Sequence, residues 1–272
     1  MTRTFALSAA LLSLSLVSPA LAQPRAERVE DKGGTTVNGQ KAEWNVSYLK
    51  LVGLADAAVA KQVNAALQKL ALGPKQEFLH NLRDWDSQSE YGSSIDLGMT
   101  VGILNEELLS VSISSSEYYA GAAHPGHSLR SATFDLKSGK PLEAASLFRP
   151  GAMDEVARRV DRALRQNPDN YPNGQVNADE YTLDTPTAEE IKTVVVHPDG
   201  LEVLFGDYEL GGYAAGLPSA KLSFADLQGV LAEAGPVARL AQGAASGGQA
   251  AGPASPSAGA AGALDALGGG LR

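Results

Sequence analysis

The sequence predicts an α+β fold with antiparallel or mixed sheets, amphipathic helices packed on one face of the sheets, and two closely associated subdomains. Apolar and polar residues alternate with a period of two at 42–51, 95–113 and 128–136, as is typical of half-buried strands. Apolar residues recur at helical spacing at 59–70 and 152–165, which predicts amphipathic helices. The 272 residues give room for one large domain or two small ones.

The two ends of the chain have compositions that predict segments outside the folded part. Residues 1–22 combine Arg3, an apolar run and the small residues Ala20 and Ala22, which is the pattern of a cleaved secretory signal. We therefore expect an exported protein, periplasmic, envelope-associated or extracellular, with no stable membrane span after cleavage. The alanine, glycine, serine and proline of 236–272 predict a disordered tail, because they bury little apolar surface.

The N-terminal subdomain is placed at 23–115. It is predicted to hold a strand at 42–51 and then a helix that ends near the Gly–Pro pair at 73–74, since both residues disfavour a helix interior. A second helical piece is expected at 75–83. Two alternating runs joined by a polar turn at 105–107 then predict a β-hairpin.

The C-terminal subdomain is placed at 116–235 and starts with a loop of small residues. Its further predicted elements are a strand at 128–136, a helix at 152–165, an exposed loop at 167–184, a hairpin turning at 197–200 and a short strand at 221–222. Ser223 and Asp226 resemble a capping box, which predicts one more helix through Leu227 and Leu231.

Composition excludes several classes of function. The chain has no cysteine, which excludes disulfides, thiolate metal sites and a cysteine nucleophile. A net charge of −9 without a basic stripe argues against a nucleic-acid partner. The acidic balance suits a cationic partner, and it equally suits simple solubility. Phosphate-binding loops and a nucleophile elbow are absent from the sequence, so we assign no catalytic residue and no cofactor.

Two loops rich in tyrosine and glycine, 118–127 and 208–216, supply the candidate binding residues. These residues are Tyr118, Tyr119, Gly121, His124, Tyr208, Glu209 and Tyr213. Tyrosine offers a large contact area with a polar tip at low entropic cost, so the rings can anchor a partner, with Glu117 and Asp207 as further charge partners. The same rings can instead close the core around two glycine turns.

A His-x-x-His pair, His124 and His127, supports an alternative function. With Glu117 or Asp135 as a further ligand, it could hold a zinc ion that lowers the pKa of a bound water. Pro125 and Gly126 between the histidines favour a turn rather than a helix, and no His-Glu-x-x-His motif occurs. We therefore keep a metal-dependent hydrolase of cell-wall material as the alternative and assign no metal site.

Two blocks of sequence resemble the ectodomain family of RsiV-type anti-sigma factors, whose C-terminal domain was long known only as a domain of unknown function. Members carry Tyr-x-Gly-Gly-Ala-His, then Phe-Asp-Leu-x-x-Gly-Lys and Leu-Phe, which correspond here to 119–124, 134–140 and 147–148. Residues 200–216 resemble the second block of the family. Ala122 stands where the family has its second glycine, so the loop is expected to differ in backbone shape.

The resemblance extends over 46–231. Its first part, 46–70, resembles the companion domain that also precedes the catalytic domain of PdaC-type peptidoglycan deacetylases. The family implies an α+β, non-catalytic, envelope-facing domain, and its best-understood member recognises lysozyme, a cationic enzyme. We therefore expect a binding module for a cell-envelope component such as peptidoglycan, or for a cationic protein such as lysozyme. A structural accessory protein of the envelope is a further possibility.

Overall fold

A computed structural model describes residues 23–87, 89–167 and 183–246. The predicted signal peptide, most of the predicted exposed loop at 167–184 and the last part of the predicted tail lie outside the described residues. The described residues form an α+β fold that contains a five-stranded mixed sheet, a three-stranded antiparallel sheet and three helices, which confirms the predicted fold class.

The first sheet has the strand order β1-β2-β3-β4-β5. Its strands are β1 (Arg25–Val37), β2 (Gln40–Val52), β3 (Ser93–Leu104), β4 (Leu108–Tyr118) and β5 (Gly126–Asp135). All neighbours are antiparallel except β2 and β3, which are parallel. The sequence predicted β2 to β5 but missed β1. That strand lies at the sheet edge with most of its side chains exposed, so it lacks a regular apolar alternation.

Helix α1 (Ala57–Asn81) provides the crossover that the parallel pair β2 and β3 requires. Asp56 caps its start by accepting hydrogen bonds from two backbone N–H groups of the first turn. The predicted end near Gly73 and Pro74 is wrong, because α1 continues through both residues. Pro74 is buried on the same face as Phe78, and this packing offsets the backbone hydrogen bond that proline cannot donate.

The second sheet contains β6 (Val194–His197), β7 (Gly200–Leu204) and β8 (Ser219–Ser223), with helix α2 (Met153–Gln166) packed on β8. The predicted helix after β8 is not formed, and the chain makes a series of turns at 224–230. Although Ser223 and Asp226 make the hydrogen bonds of the capping box, Gly229 then adopts φ +80°.

The predicted disordered tail is wrong for its first residues, since Pro236–Ser246 forms helix α3. Val237 and Ala238 in its first turn are buried, and Val237 belongs to the same apolar cluster as α2 and the second sheet. Tertiary packing therefore orders residues whose composition alone predicts disorder. Among the described residues, none of the helices has the length and apolar character needed to cross a bilayer.

The two sheets meet where β6 packs against the first sheet. The backbone N–H of Val196 donates to Oγ of the buried Ser110 at 2.9 Å, and that of Val194 donates to Oγ of Ser131 at 2.9 Å. A Cβ at Gly102 would lie 2.4 Å from the Val195 side chain, so glycine allows this close approach. The boundary that we predicted between residues 115 and 116 lies inside β4, and β5 pairs with β4 in the first sheet.

Candidate functional site

The two candidate loops meet in space and form one cluster, which we call the His–Tyr surface: His124, His127, Asp207, Tyr208 and Tyr213. The His124 ring stacks on Tyr213 with 3.8 Å between ring centroids. His124 Nδ1 lies 2.9 Å from the carbonyl oxygen of Pro125, which can only accept, so Nδ1 carries the proton. In the neutral ring, Nε2 then accepts from the Tyr208 hydroxyl at 3.3 Å.

A hydrogen-bonded histidine–carboxylate pair, His127 and Asp207, stabilises this surface. Asp207 Oδ2 accepts from the backbone N–H of His127 at 2.7 Å and from its ring Nδ1 at 3.1 Å. The Asp207 side chain is only 7% exposed, so little water competes for these bonds. Because His127 lies near the start of β5 and Asp207 follows β7, the pair joins the first sheet to the second.

Tyr208 is held in a conformation that few residues of its kind adopt. Its φ is +64°, and its side chain is 61% exposed. A left-handed conformation at a non-glycine residue costs on the order of 1 kcal/mol and persists only where neighbouring contacts impose it. Asp207 is fixed on one side by His127, and on the other side Glu209 Oε2 accepts from the Gly206 backbone N–H at 2.8 Å. The loop therefore holds the aromatic ring out toward solvent.

Tyr213 forms the floor of the surface. Its ring centroid lies 3.8 Å from that of His124 and 6.0 Å from that of Tyr208. Burial raises the pKa of the Tyr213 hydroxyl above its ordinary value, and the neighbouring Asp207 and Tyr208 raise it further. The phenol is therefore neutral at physiological pH and can both donate and accept hydrogen bonds.

Three predicted site residues lie away from the His–Tyr surface. The Tyr119 ring packs against Phe78 and Trp85, with centroids 5.3 and 5.2 Å away, so it belongs to an apolar cluster between α1 and the first sheet. Tyr118 ends β4 and is half-buried. Gly121 adopts φ +88°, and a Cβ there would lie 3.0 Å from Ser87 Oγ.

Glu117 is also less available as a charge partner than the sequence suggested. Burial raises the pKa of its carboxyl group. The Tyr119 hydroxyl lies within hydrogen-bond distance of it, at 3.4 Å. The side chain therefore serves the local packing around Tyr119 rather than the surface.

A second aromatic region lies beside the loop at 118–127, and the sequence did not predict it. Trp85 and Tyr91, 38% and 64% exposed, border a groove of about 630 Å³ whose other wall is formed by residues 38–41, the β1–β2 turn and the start of β2. We call it the Trp85–Tyr91 groove. The Trp85 Nε1–H donates to the Ala120 carbonyl at 3.0 Å. Two aromatic residues within the polar stretch 83–91 were the available signal, but that stretch has no periodicity to draw attention to it.

The described residues do not form a group of three or more histidine, aspartate or glutamate side chains placed to hold a metal ion. His124 and His127 instead hydrogen-bond Tyr208 and Asp207. The further candidates lie elsewhere, since Glu117 faces Tyr119 and Asp135 lies at the opposite end of β5 from His127. The alternative of a metal-dependent hydrolase therefore gains no ligand set from the described residues.

Comparison with known proteins finds a family model that matches part of the chain and solved structures with a similar fold. Residues 145–225 match a family model described as a protein of unknown function (DUF3298). The fold is similar to a crystal structure of a DUF3298 family member from Bacteroides fragilis, with a TM-score of 0.63 and 14% identity over 82% of this chain and 98% of that one. A DUF3298 family protein from Pseudomonas aeruginosa PAO1 gives 0.54 and 16% over 76% and 94%. No curated protein matches the sequence. The structural likeness shows the fold alone, and the family model matches residues 145–225.

Proposed function

We propose that this protein is an exported, non-catalytic binding module whose His–Tyr surface binds a cell-envelope component or a cationic protein such as lysozyme. The resemblance to RsiV-type ectodomains supports this choice of partner, because both blocks that carry the resemblance contribute to the surface. His124 comes from the first block, and Tyr208 and Tyr213 come from the second.

The observation that carries the proposal is the exposed, left-handed Tyr208. Folding has no need of a ring that is 61% exposed, and the conformation at φ +64° opposes stability. Strained residues of this kind cluster at sites of recognition, and tyrosine is among the side chains that contribute most to protein interfaces. Tyr208 is therefore the anchor of the proposed surface.

Charge favours a cationic partner over an anionic one. The chain has a net charge of −9, and Glu209 beside Tyr208 is exposed. Complementary charge raises the rate of encounter and suppresses the wrong partners. An interaction of this type weakens with added salt, because mobile ions screen the charges over a Debye length of about 10 Å at 0.1 M.

The test is titration calorimetry of the chain from residue 23 with lysozyme at low and at moderate salt. We expect a dissociation constant of about 1 μM or tighter that weakens with salt. Tyr208→Ala should weaken binding about tenfold or more, as for the loss of an interface anchor.

Tyr91→Ala is the matched control, because Tyr91 has nearly the same exposure, 64%, but lies in the Trp85–Tyr91 groove. Its lysozyme affinity should equal that of the parent chain. Absence of heat at both salt concentrations would remove lysozyme as the partner. Equal losses for the two tyrosine variants would contradict the assignment of the His–Tyr surface.

A further inference from the structure

From the Trp85–Tyr91 groove we infer a second binding site in this protein, one that takes an uncharged oligosaccharide. It lies beside the first sheet, between residues 38–41 and the segment that follows α1, and it shares no residue with the His–Tyr surface. A volume of about 630 Å³ falls in the range of small-ligand sites.

An unpartnered acceptor, Oε1 of Gln40, points to the chemistry of the ligand. Gln40 lines the groove, and its Oε1 is buried without a hydrogen-bond partner. The orientation of the amide is fixed, because Nε2 donates to the Ser87 carbonyl at 3.2 Å. A buried acceptor that lacks a donor is costly, so its retention suggests that a ligand supplies one. Hydroxyl and amide groups of a sugar are donors of this type.

The two aromatic side chains supply a second, independent feature of a sugar site. Trp85 is fixed by its hydrogen bond to Ala120 and by packing on Tyr119, yet 38% of it is exposed. Tyr91 on the same groove is 64% exposed. Pyranose rings carry apolar C–H faces that stack on aromatic rings, while their hydroxyl groups bond the polar groups nearby. The indole is therefore already positioned before a ligand arrives.

The charges along the groove select an uncharged ligand. Its charged side chains are exposed and of both signs: Lys41, Arg83, Asp84, Asp86 and Glu90. Two cationic and three anionic groups give no cluster that would hold a polyanion. Apart from the two aromatic residues, the remaining lining carries mainly amide and hydroxyl groups, which disfavours a lipid or another apolar ligand.

Local hydrogen bonds hold the walls of the groove together. The Asn38 side-chain amide donates to the Arg83 carbonyl and so ties the β1–β2 turn to the segment after α1. Within the wall that follows α1, the Ser89 backbone N–H donates to Ser87 Oγ at 3.1 Å. A preformed site loses less entropy on binding than a disordered one.

The experiment is calorimetric titration of the chain from residue 23 with chitotetraose and with cellotetraose. Both have the same β-1,4 backbone, and only chitotetraose carries N-acetyl groups. We expect saturable binding of at least one of them. Gln40→Leu removes the unpartnered acceptor and Tyr91→Ala removes a stacking ring, and each should weaken binding about tenfold. Tyr208→Ala should leave sugar affinity unchanged.

Thermal unfolding of each variant checks that the fold is kept. If Gln40→Leu fails to fold, Tyr91→Ala still tests the inference. Absence of saturable binding of both sugars up to about 10 mM would overturn the inference. So would unchanged sugar affinity in both groove variants, or a loss in Tyr208→Ala equal to theirs. The inference does not rest on the proposed function. Failure with lysozyme leaves the sugar titrations interpretable, and failure with the sugars leaves the lysozyme titrations interpretable.

Discussion

The His–Tyr surface and the Trp85–Tyr91 groove lie beside opposite ends of one loop, but they are held in different ways. The surface depends on a side-chain contact between the two sheets, since Asp207 after β7 holds His127 at the start of β5. The groove is held by bonds from the β1–β2 turn and from Gln40, the first residue of β2, to the segment after α1. Disturbing the junction of the sheets should therefore affect the surface more than the groove.

Gly102→Ala gives the first test of this difference. Its new Cβ would lie 2.4 Å from the Val195 side chain and 2.6 Å from the Val196 carbonyl, so β6 must move away from the first sheet. Overpacking of this severity costs about 3 kcal/mol. Urea-induced unfolding measures that loss, and lysozyme affinity of the folded fraction should fall further than sugar affinity.

Gly98→Ala on the same strand is its control. There a Cβ would meet only Ser114 Oγ, at an ordinary 3.7 Å. We expect stability within about 0.5 kcal/mol of the parent chain. Equal stability of the two alanine variants would show that the close approach at Gly102 does not join the sheets.

Asp207→Ala removes the contact that links the surface to both sheets. The half-buried His127 backbone N–H and ring N–H would lose their acceptor, which costs about 2 kcal/mol. Lysozyme binding should be lost with it, because Tyr208 would lose the restraint on one side. Asp207→Asn keeps one acceptor oxygen and should retain part of both properties. If Asp207→Ala bound lysozyme like the parent chain, the pair would not support the surface.

The regular part of the fold could be predicted from sequence because its side chains alternate. Strands β2 to β5 and helix α2 were found in this way. Edge strand β1 was missed because its exposure removes the alternation, and the length of α1 was underestimated because Pro74 is compensated by its burial. The local pattern of a sequence indicates which face of an element is buried. It does not indicate which unfavourable residues tertiary packing can accommodate.

The His–Tyr surface and the Trp85–Tyr91 groove also differ in how far the sequence could predict them. Both loops of the His–Tyr surface were chosen from composition, but their meeting depends on a bond between His127 and Asp207, which are 80 residues apart. Sequence cannot give that contact without the packing of β6 on the first sheet. The groove was missed because its defining feature, an unpartnered Gln40 oxygen, exists only after β2 and the segment after α1 are brought together.

Tyr208→Gly distinguishes the backbone strain at position 208 from the contribution of the tyrosine ring to binding. Glycine adopts φ +64° without strain, whereas alanine at this position retains most of the backbone strain. We expect Tyr208→Gly to be about 1 kcal/mol more stable than Tyr208→Ala by urea unfolding, while both bind lysozyme equally weakly. If Tyr208→Ala were the more stable of the two, backbone strain would not be the cost of displaying the ring.

Two glutamates at opposite ends of β4 should respond to pH with opposite signs. Burial raises the pKa of Glu117 in the folded state, so its contribution favours folding at acid pH and is lost as pH rises through that pKa. Glu117→Gln should therefore raise the melting temperature slightly at pH 7, and the gain should vanish toward about pH 4.

Glu107, in the β3–β4 turn, should show the opposite pH dependence to Glu117. Hydrogen bonds from Lys137 and Arg239 lower the pKa of its carboxyl group. Its contribution is present above the unfolded pKa and is lost as pH falls through the folded one, so Glu107→Gln should lower the melting temperature at pH 7 and lose that effect in acid. The effects are small because Glu107 is partly exposed and Glu117 keeps its contact with Tyr119. Melting curves between pH 4 and pH 7, as approximate limits, give both signs in one series. A fall in melting temperature for Glu117→Gln at pH 7 would mean that its hydrogen bond with Tyr119 outweighs the cost of burying its charge.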